Sequence, residues 1–407
     1  MKRTQAAVSM ALVVSGLLLA LPVGVGAQSL NEVLNLQLQA QGGLNCAGLG
    51  GNTGTTGNLQ AKLCPQIPVA TAGTGGGSGS VPTLDTQLGQ SQEQRRQADR
   101  LAERRSGQGG AADQPGTGFG LFVNGDYQFL NKNTTRLESG FEQQTVGTTV
   151  GADYSFRGRA VVGVALNYAH EFGEFAGVSG GFDNDTFGVT LYGTVVPVDK
   201  LFIDGFVGYA RKEYSIVRRV NFAFPTGGAN PPNFLTSGPI DGRTHHDDFT
   251  IGTVIGYDFV LKNLTVGPRV GVNYLDRRIA GYSESGGTGL ELNYDNQNIS
   301  SLTTTAGLFA SVAINTPWGV LVPQATAEYV HEFLNDQRSV GFRIDEAVFQ
   351  PRFLYRTDEP DRNFFNVGVG AVFVLPGGMS AFANVRQLLG YADRRATNVT
   401  VGLRLAF

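Results

Sequence analysis

From Gly118 to the C-terminus the sequence alternates between large apolar side chains and small or polar ones. At its end Val399, Val401, Leu403, Leu405 and Phe407 share one face, with Asn398, Thr400, Gly402, Arg404 and Ala406 on the other. A period of two belongs to a β-strand with unlike faces. The pattern recurs through Val162, Val164, Leu166 and Tyr168, through Phe249, Ile251, Ile255, Tyr257 and Phe259, and through Leu264, Val266, Val270, Val272 and Tyr274. Phe365, Val367, Val369 and Phe373 repeat it opposite Asn366, Gly368 and Gly370. The second face is too small and polar for the inside of a β-sandwich, which would also have to leave the apolar face in water.

About twelve such runs can be counted, near 118–130, 140–156, 159–175, 182–196, 199–220, 246–261, 263–280, 299–315, 319–335, 362–375, 379–390 and 396–407. Several exceed the 9–11 residues or so that a tilted strand needs to cross a bilayer. Their connections largely alternate in length. The short ones are Arg157-Gly158, Pro197-Val198-Asp199, Lys262-Asn263, Asn315-Thr316-Pro317-Trp318 and Pro376-Gly377-Gly378. Long polar links span 131–139, 221–245, 281–298 and 336–361, with 176–181 and 391–395 of middling length. An even strand number, tight turns at one end, longer loops at the other and an apolar outer face predict a transmembrane antiparallel β-barrel. Tyr168, Phe172, Tyr209, Tyr214, Tyr274, Tyr329 and Phe333 lie near strand ends and are read as an interfacial girdle.

Composition fits that reading. Glycine supplies 57 of 407 residues, charged residues only 16%, and mean hydropathy is -0.07. Soluble domains average about 25% charge, whereas apolar-out, small-or-polar-in alternation averages to values like these. No apolar run of about 20 residues follows the N-terminus, which excludes a bundle of helical spans. Two cysteines make no disulfide framework, and a net charge of -3 leaves no footprint for nucleic acid. Gly163, Gly188, Gly208, Gly252, Gly256, Gly271, Gly368 and Gly370 recur on the small face, where they make room inside the barrel and ease curvature.

Upstream of the alternation the chain is different. Lys2 and Arg3 precede an apolar stretch from Met10 to Leu21, and Val25-Gly26-Ala27 offers small residues for cleavage. Residues 1–27 are therefore expected to be a signal peptide, and the protein exported. Residues 28–83 are glycine-rich and too poor in apolar side chains to form a core. They hold Cys46 and Cys64, for which an exported chain favours a disulfide over two free thiols. Leu84 to Arg105 has the composition of a helix that is polar all round, followed by a linker at 106–117. Such a helix is either solvated or sits in a polar cavity, and on its residues alone it reads as solvated.

Candidates for chemistry are few. His170-Glu171-Phe172 and His331-Glu332-Phe333 form a repeated pair without a second histidine at metal spacing, so interface anchoring is expected of them. His245-His246-Asp247-Asp248 is a candidate base or metal site, weighed against solvated loop charge. No G-x-S-x-G nucleophile motif is present. Arg211-Lys212, Arg218-Arg219 and Arg277-Arg278 near the long-loop end are candidates for lipopolysaccharide phosphates, weighed against a solvated rim.

Several segments, taken in order, carry a resemblance. They are Asn133-Thr134-Thr135-Arg136 with Glu138 and Gly140-Phe141, Val150 to Tyr154, Gly180-Gly181-Phe182-Asp183, and Leu201 to Gly205 with Gly208 to Arg211. Pro323 with Glu328 to Phe333, Gly368 to Ala371 and the terminal Phe407 complete the set. Together, over about 290 residues, 118–407, they resemble the C-terminal translocator domain of autotransporters. The resemblance implies an all-β fold: a 12-stranded antiparallel transmembrane β-barrel with an N-terminal α-helix in the lumen. It also implies periplasmic chaperones and insertion by the outer-membrane assembly machinery, which Phe407 helps engage.

On this basis residues 84–105 become a lumen helix, with Arg95, Arg96, Arg100, Arg104 and Arg105 facing inward acids such as Asp153, Asp204, Asp258 and Glu328. The implied protein is a monomeric, non-enzymatic type V secretion component of a Gram-negative outer membrane, without a cofactor. Outer-membrane lipid and lipopolysaccharide are its surroundings. It anchors its own short N-terminal segment and carries it to the cell surface. About 60 residues precede the helix after cleavage, with no repeat or nucleophile motif in them, unlike the large passengers usual in the family. An outer-membrane channel and an outer-membrane hydrolase are the alternatives.

Overall fold

The structure, a computed structural model, describes residues 118–407 apart from 136, 157–158, 177–179, 225–233, 289–290, 335 and 345–351. The expected signal peptide, the 28–83 segment with its Cys46–Cys64 pairing, the 84–105 helix with its arginines, the 106–117 linker and the Arg157-Gly158 turn lie outside the described residues.

Twelve long strands follow one another along the chain. They are β1 (Gly118–Lys132), β2 (Phe141–Phe156), β3 (Ala160–Phe175), β4 (Gly180–Val198), β5 (Leu201–Phe224) and β6 (Phe234–Tyr257), then β7 (Leu264–Ile279), β8 (Gln297–Val312), β9 (Gly319–Glu332), β10 (Asn363–Val374), β11 (Met379–Leu389) and β12 (Arg394–Ala406). Each pairs antiparallel with the next, and β12 returns to β1 in a register running from Gly120 opposite Ala406 to Lys132 opposite Arg394. Phe119 N–H donates to the Phe407 carbonyl at 2.8 Å and Phe407 N–H to that of Phe119 at 2.9 Å, sewing the last residue into the seam. The ring therefore has no open edge, which is what lets a sheet sit in lipid. The twelve expected runs fall on these twelve strands. At the short-turn end, Gly377 and Gly378 (φ 85 and 81) adopt the left-handed conformation that their tight hairpin demands.

The outer face is apolar over a defined height. Val162 (59% exposed), Leu166 (58%), Phe187 (60%), Val270 (56%) and Val369 (63%) all point outward. On β3 the outward positions run from Val162 to Phe172. Ten residues of strand at about 3.3 Å each, tilted by about 40°, rise roughly 25 Å, the height of a barrel's lipid band. Aromatic rows bound it. Phe119, Tyr154 and Phe156 stack edge-on at 4.9 and 4.8 Å near the short turns, with Tyr257, Phe259 and Phe407 elsewhere around that end. Tyr168 with Phe187, Tyr209, Tyr329 with Phe365, Phe172 and Phe333 form the opposite row. Tyr214 does not belong to it. It sits at an inward position of β5 and is 7% exposed, because five residues from Tyr209 is an odd step and strands alternate.

Inside, the space left by glycines is taken by rings from the neighbouring strand. A Cβ at Gly252 would lie 2.5 Å from Phe206 Cζ, and Gly163 and Gly256 lie in the same way under Tyr192 and Phe202.

The long links are more structured than expected. Most of 221–245 is strand, since β5 and β6 continue as one hairpin to Phe224 opposite Phe234. Within 281–298 and 336–361 four short strands, Tyr282–Ser285, Leu292–Tyr294, Ser339–Ile344 and Phe353–Arg356, pair antiparallel in that order, and Tyr282–Ser285 also joins β6. This small sheet has its own core: Ile216, Ile240, Leu292, Phe342 and Phe353, with Tyr282 stacked on Tyr294 at 4.7 Å. Arg218 donates to Glu284 at 2.8 and 2.5 Å inside it. Short strands with isolated apolar residues show no period, which is why these segments read as polar loops.

Replacing Gly252 with Leu is expected to lower the thermal unfolding midpoint of the barrel by several degrees, since overpacking costs about 1–3 kcal/mol. Adding Phe206→Ala together with Asn273→Ala, whose Oδ1 lies nearest that Cβ, should recover part of the loss, and a triple variant no better than the single one would contradict the packing of these side chains over the glycine.

Candidate functional site: the lumen and its outer mouth

Strand parity sends a distinct set of side chains into the lumen, and they sort by height. Nearer the short turns Asn124, Asp153, Thr190, Asp204, Asn273 and Thr400 face inward and are buried. Three of the expected acids, Asp153, Asp204 and Asp258, lie at this height, Glu328 stands nearer the long loops two residues before Val330, and each has a partner on the barrel itself. Asp153 receives a bidentate pair from Arg404 at 2.8 and 2.9 Å, with the Tyr192 hydroxyl donating at 3.1 Å. Gly120 of β1 lies between them, and a Cβ there would sit 2.6 Å from Asp153 Oδ1, so a glycine lets the pair reach across β1. Asp258 pairs with Arg269, whose guanidinium lies 4.5 Å from the Phe202 ring and 5.0 Å from that of Phe309. Glu328 is 3.8 Å from Arg386, and Asp204 accepts from the Thr194 hydroxyl at 2.8 Å. The four acids are spread around the wall and do not form one cluster. Their arginine partners were missed because a pair such as Asp153 and Arg404 needs the β12–β1–β2 order, which parity alone does not supply.

Toward the long-loop end the lumen wall has two characters. On β3 to β7 paired polar groups are interleaved with buried Ile216, Ile240, Leu275 and Ile279: Lys212 lies 3.1 Å from Glu171, Asn184 donates to Glu171 at 2.8 Å, and Arg277 donates to Asp248 at 2.5 Å. His246, fully buried, packs at a tilt against the Tyr214 ring, with centroids 5.1 Å apart. On β1, β2 and β9 to β12 the inward wall is instead an apolar cluster of Leu130, Phe141, Val330, Phe364, Leu388 and Ala396.

Alternation also splits the sequence candidates. Within His245-His246-Asp247-Asp248, His246 and Asp248 face inward, while Asp247 faces outward and accepts from the Tyr209 hydroxyl at 2.7 Å. The four residues thus form no joint base or metal site. Of the basic doublets, Lys212, Arg218 and Arg277 point inward into ion pairs; Arg211, Arg219 and Arg278 remain outside. His170 and His331 lie at the aromatic row nearer the long loops, as expected of interface residues. Each shares an acceptor with the tyrosine two residues earlier, Asp185 for His170 and Asn363 for His331. Among the described residues His170, Asp183 and Asp185 also bring their ligand atoms within 4.8 Å of one another, on an exposed surface.

One buried charge centre ties the mouth loops together. Lys132, almost fully buried, holds Glu138 at 2.8 Å, Asp358 at 2.9 Å and Asp393 at 3.7 Å, joining three loops. The Thr135 hydroxyl donates to Asp358 at 2.7 Å. Burial alone would raise the Asp358 pKa, but the Thr135 hydrogen bond and the Lys132 ammonium outweigh it and hold the carboxyl below its usual range.

Two outcomes follow. Arg404→Met should destabilise the barrel by roughly 3 kcal/mol in urea unfolding, because it strands a buried carboxylate. Adding Asp153→Asn should restore much of that, and simple additivity would refute the pairing. For Asp358 a depressed folded pKa means that the stabilisation exists above the unfolded value near 3.9 and is lost as pH falls through the folded one. Amide exchange in 133–140 and 357–362 should therefore stay protected from pH 7 to about 4 and loosen only below it; Lys132→Met should be loose throughout.

Comparison with known proteins agrees with this geometry. Residues 121–386 match the family model described as the autotransporter beta-domain. The translocator domain of the autotransporter NalP from Neisseria meningitidis has the same fold, with a TM-score of 0.58 at 16% identity over 78% of this chain and 98% of that one. Outer membrane protein A of Rickettsia rickettsii is 25% identical over 238 residues, 57% of this chain. Its counterpart from Rickettsia conorii is likewise 25% identical over 57% of this chain. The chain spans only about a tenth of the length of these relatives, 10% and 11%. With residues 121–386 of 407 matched in sequence and the closed barrel matched in shape, the chain belongs to the autotransporter β-domain family.

Proposed function

We propose that the barrel anchors its own upstream segment, residues 28–83, in the outer membrane and carries it to the cell surface, with residues 84–105 held as a helix in the lumen. The outer-membrane location follows from the family. The observation that carries the rest is the lumen wall: inward acids at Asp153, Asp204, Asp258 and Glu328 suit a helix bearing Arg95, Arg96, Arg100, Arg104 and Arg105. Twelve strands enclose more space than their own side chains fill in eight-stranded barrels, and less than the open 16–18-stranded porins.

The remaining partners follow from the surface. Phe407, 71% exposed at the seam, is the residue through which the assembly machinery and its chaperones would engage the chain. Lipid contacts the apolar band, and Arg211, Arg219 and Arg278 face the rim where lipopolysaccharide phosphates lie. A closed sheet offers no edge for a second copy, in keeping with a monomer. The chemistry of the wall is that of a translocator and anchor rather than an enzyme, and no resident cofactor is required.

Conductance in planar bilayers tests the lumen. The full chain should show low, intermittent current, and deletion of 84–105 should open a large steady pore; equal large currents from both would favour the channel reading. A tag after Ser80 should be cut by protease added to intact cells. If it stays protected while a tag in 225–233 is cut, surface delivery is wrong.

A further inference from the structure

We propose that the apolar cluster at the outer mouth is the seat of Leu84 and Leu88, and that it sets how far the 84–105 segment stands up the lumen. The inference rests on the lumen reading above. Leu130, Phe141, Val330, Phe364, Leu388 and Ala396 come from six neighbouring strands, all face inward, and none is more than 5% exposed. Phe175, Phe182 and Tyr391 pack against its edges, and across half the circumference of the barrel a water-filled bore would leave the inner face of such a cluster wet.

The occupant follows from polarity, height and chain direction. Leu84 and Leu88 are four residues apart, hence on one face of a helix, and lie at its beginning. Between Gln94 and Arg105 stand five arginines against Asp99 and Glu103. The lumen has the same polarity along its axis. Its half nearer the short turns holds Asp153, Asp204 and Asp258 against Arg269 and Arg404 among the described residues, and its far end holds the apolar cluster beside the mutually paired charges of β3 to β7.

The heights agree. Gly120 lies opposite Asp153 in register, and Leu130 is ten residues further along β1. That distance rises roughly 25 Å in a strand tilted by about 40°. Leu88 and Arg104 are sixteen residues apart, about 24 Å of helix at 1.5 Å per residue. When Leu88 reaches the cluster, Arg104 therefore stands beside Asp153. The direction is fixed because Gly118 begins β1 at the short-turn end, so the chain enters the lumen there through 106–117. Twelve residues of linker span up to about 40 Å extended, ample for that turn.

Disulfide trapping in the full chain tests the depth. Cys46 and Cys64 are first replaced by Ser, and the protein is folded in lipid vesicles, with heat-modifiable gel migration confirming a closed barrel. Leu88→Cys is paired in turn with Leu130→Cys, Val330→Cys and Asn124→Cys. One of the first two pairs should cross-link in most molecules and the Asn124→Cys pair in essentially none, since Cα atoms more than about 7 Å apart cannot be bridged. Cross-linking at Asn124→Cys alone would overturn the seat while leaving a helix in the lumen. Failure of all three pairs, with cleavage between 84 and 105 by added protease, would overturn the seat and the lumen reading together.

Discussion

A backbone amide in the hydrocarbon of a membrane has no water to bond, so each must be paired within the protein. The whole structure depends on how this chain meets that requirement: β12 folds back on β1, and Phe119 and Phe407 exchange hydrogen bonds at the seam. Once the ring is closed, each strand has one lipid face and one lumen face, and a slip of one residue would exchange them. The alternation of Val162, Val164 and Leu166 with Gly163 and Ala165 is thus a demand of closure as much as of burial.

Closure also explains the inner wall. Neighbouring strands are about 4.8 Å apart, so inward side chains crowd one another unless some are missing. Glycines supply the gaps, and rings and arginines use them: Phe206 lies over Gly252, and Arg404 reaches Asp153 over Gly120. The wall that results mixes rings with polar groups in one half, and at the far end carries ion pairs on one side and an apolar cluster on the other.

Much of this was legible in the sequence because period-two patterning survives in each strand separately. The twelve strands could be placed from it, and the aromatic row nearer the long loops apart from Tyr214. So could the inward direction of Asp153, Asp204, Asp258 and Glu328. Where the reading failed, the missing information was of two kinds. Some was parity left unused: Tyr214, His246 and Arg277 stand at inward positions, and counting along β5, β6 and β7 would have said so. The rest was tertiary. That Tyr192 fills the space over Gly163, that Lys132 gathers acids from three loops, and that 281–298 and 336–361 pair into a small sheet depend on strand order and on short segments too irregular to show a period. The room that glycines make inside the barrel is filled first by their neighbours.

The account stands on the alternating wall, and a cysteine scan of β3 addresses it most directly. Single cysteines at 161 to 168 would carry a fluorophore in lipid vesicles containing a nitroxide lipid. Labels at Val162, Val164, Leu166 and Tyr168 should be quenched strongly by the lipid-borne nitroxide, and those at Val161, Gly163, Ala165 and Asn167 weakly. Quenching that does not alternate along the strand, or that alternates with the opposite phase, would contradict it.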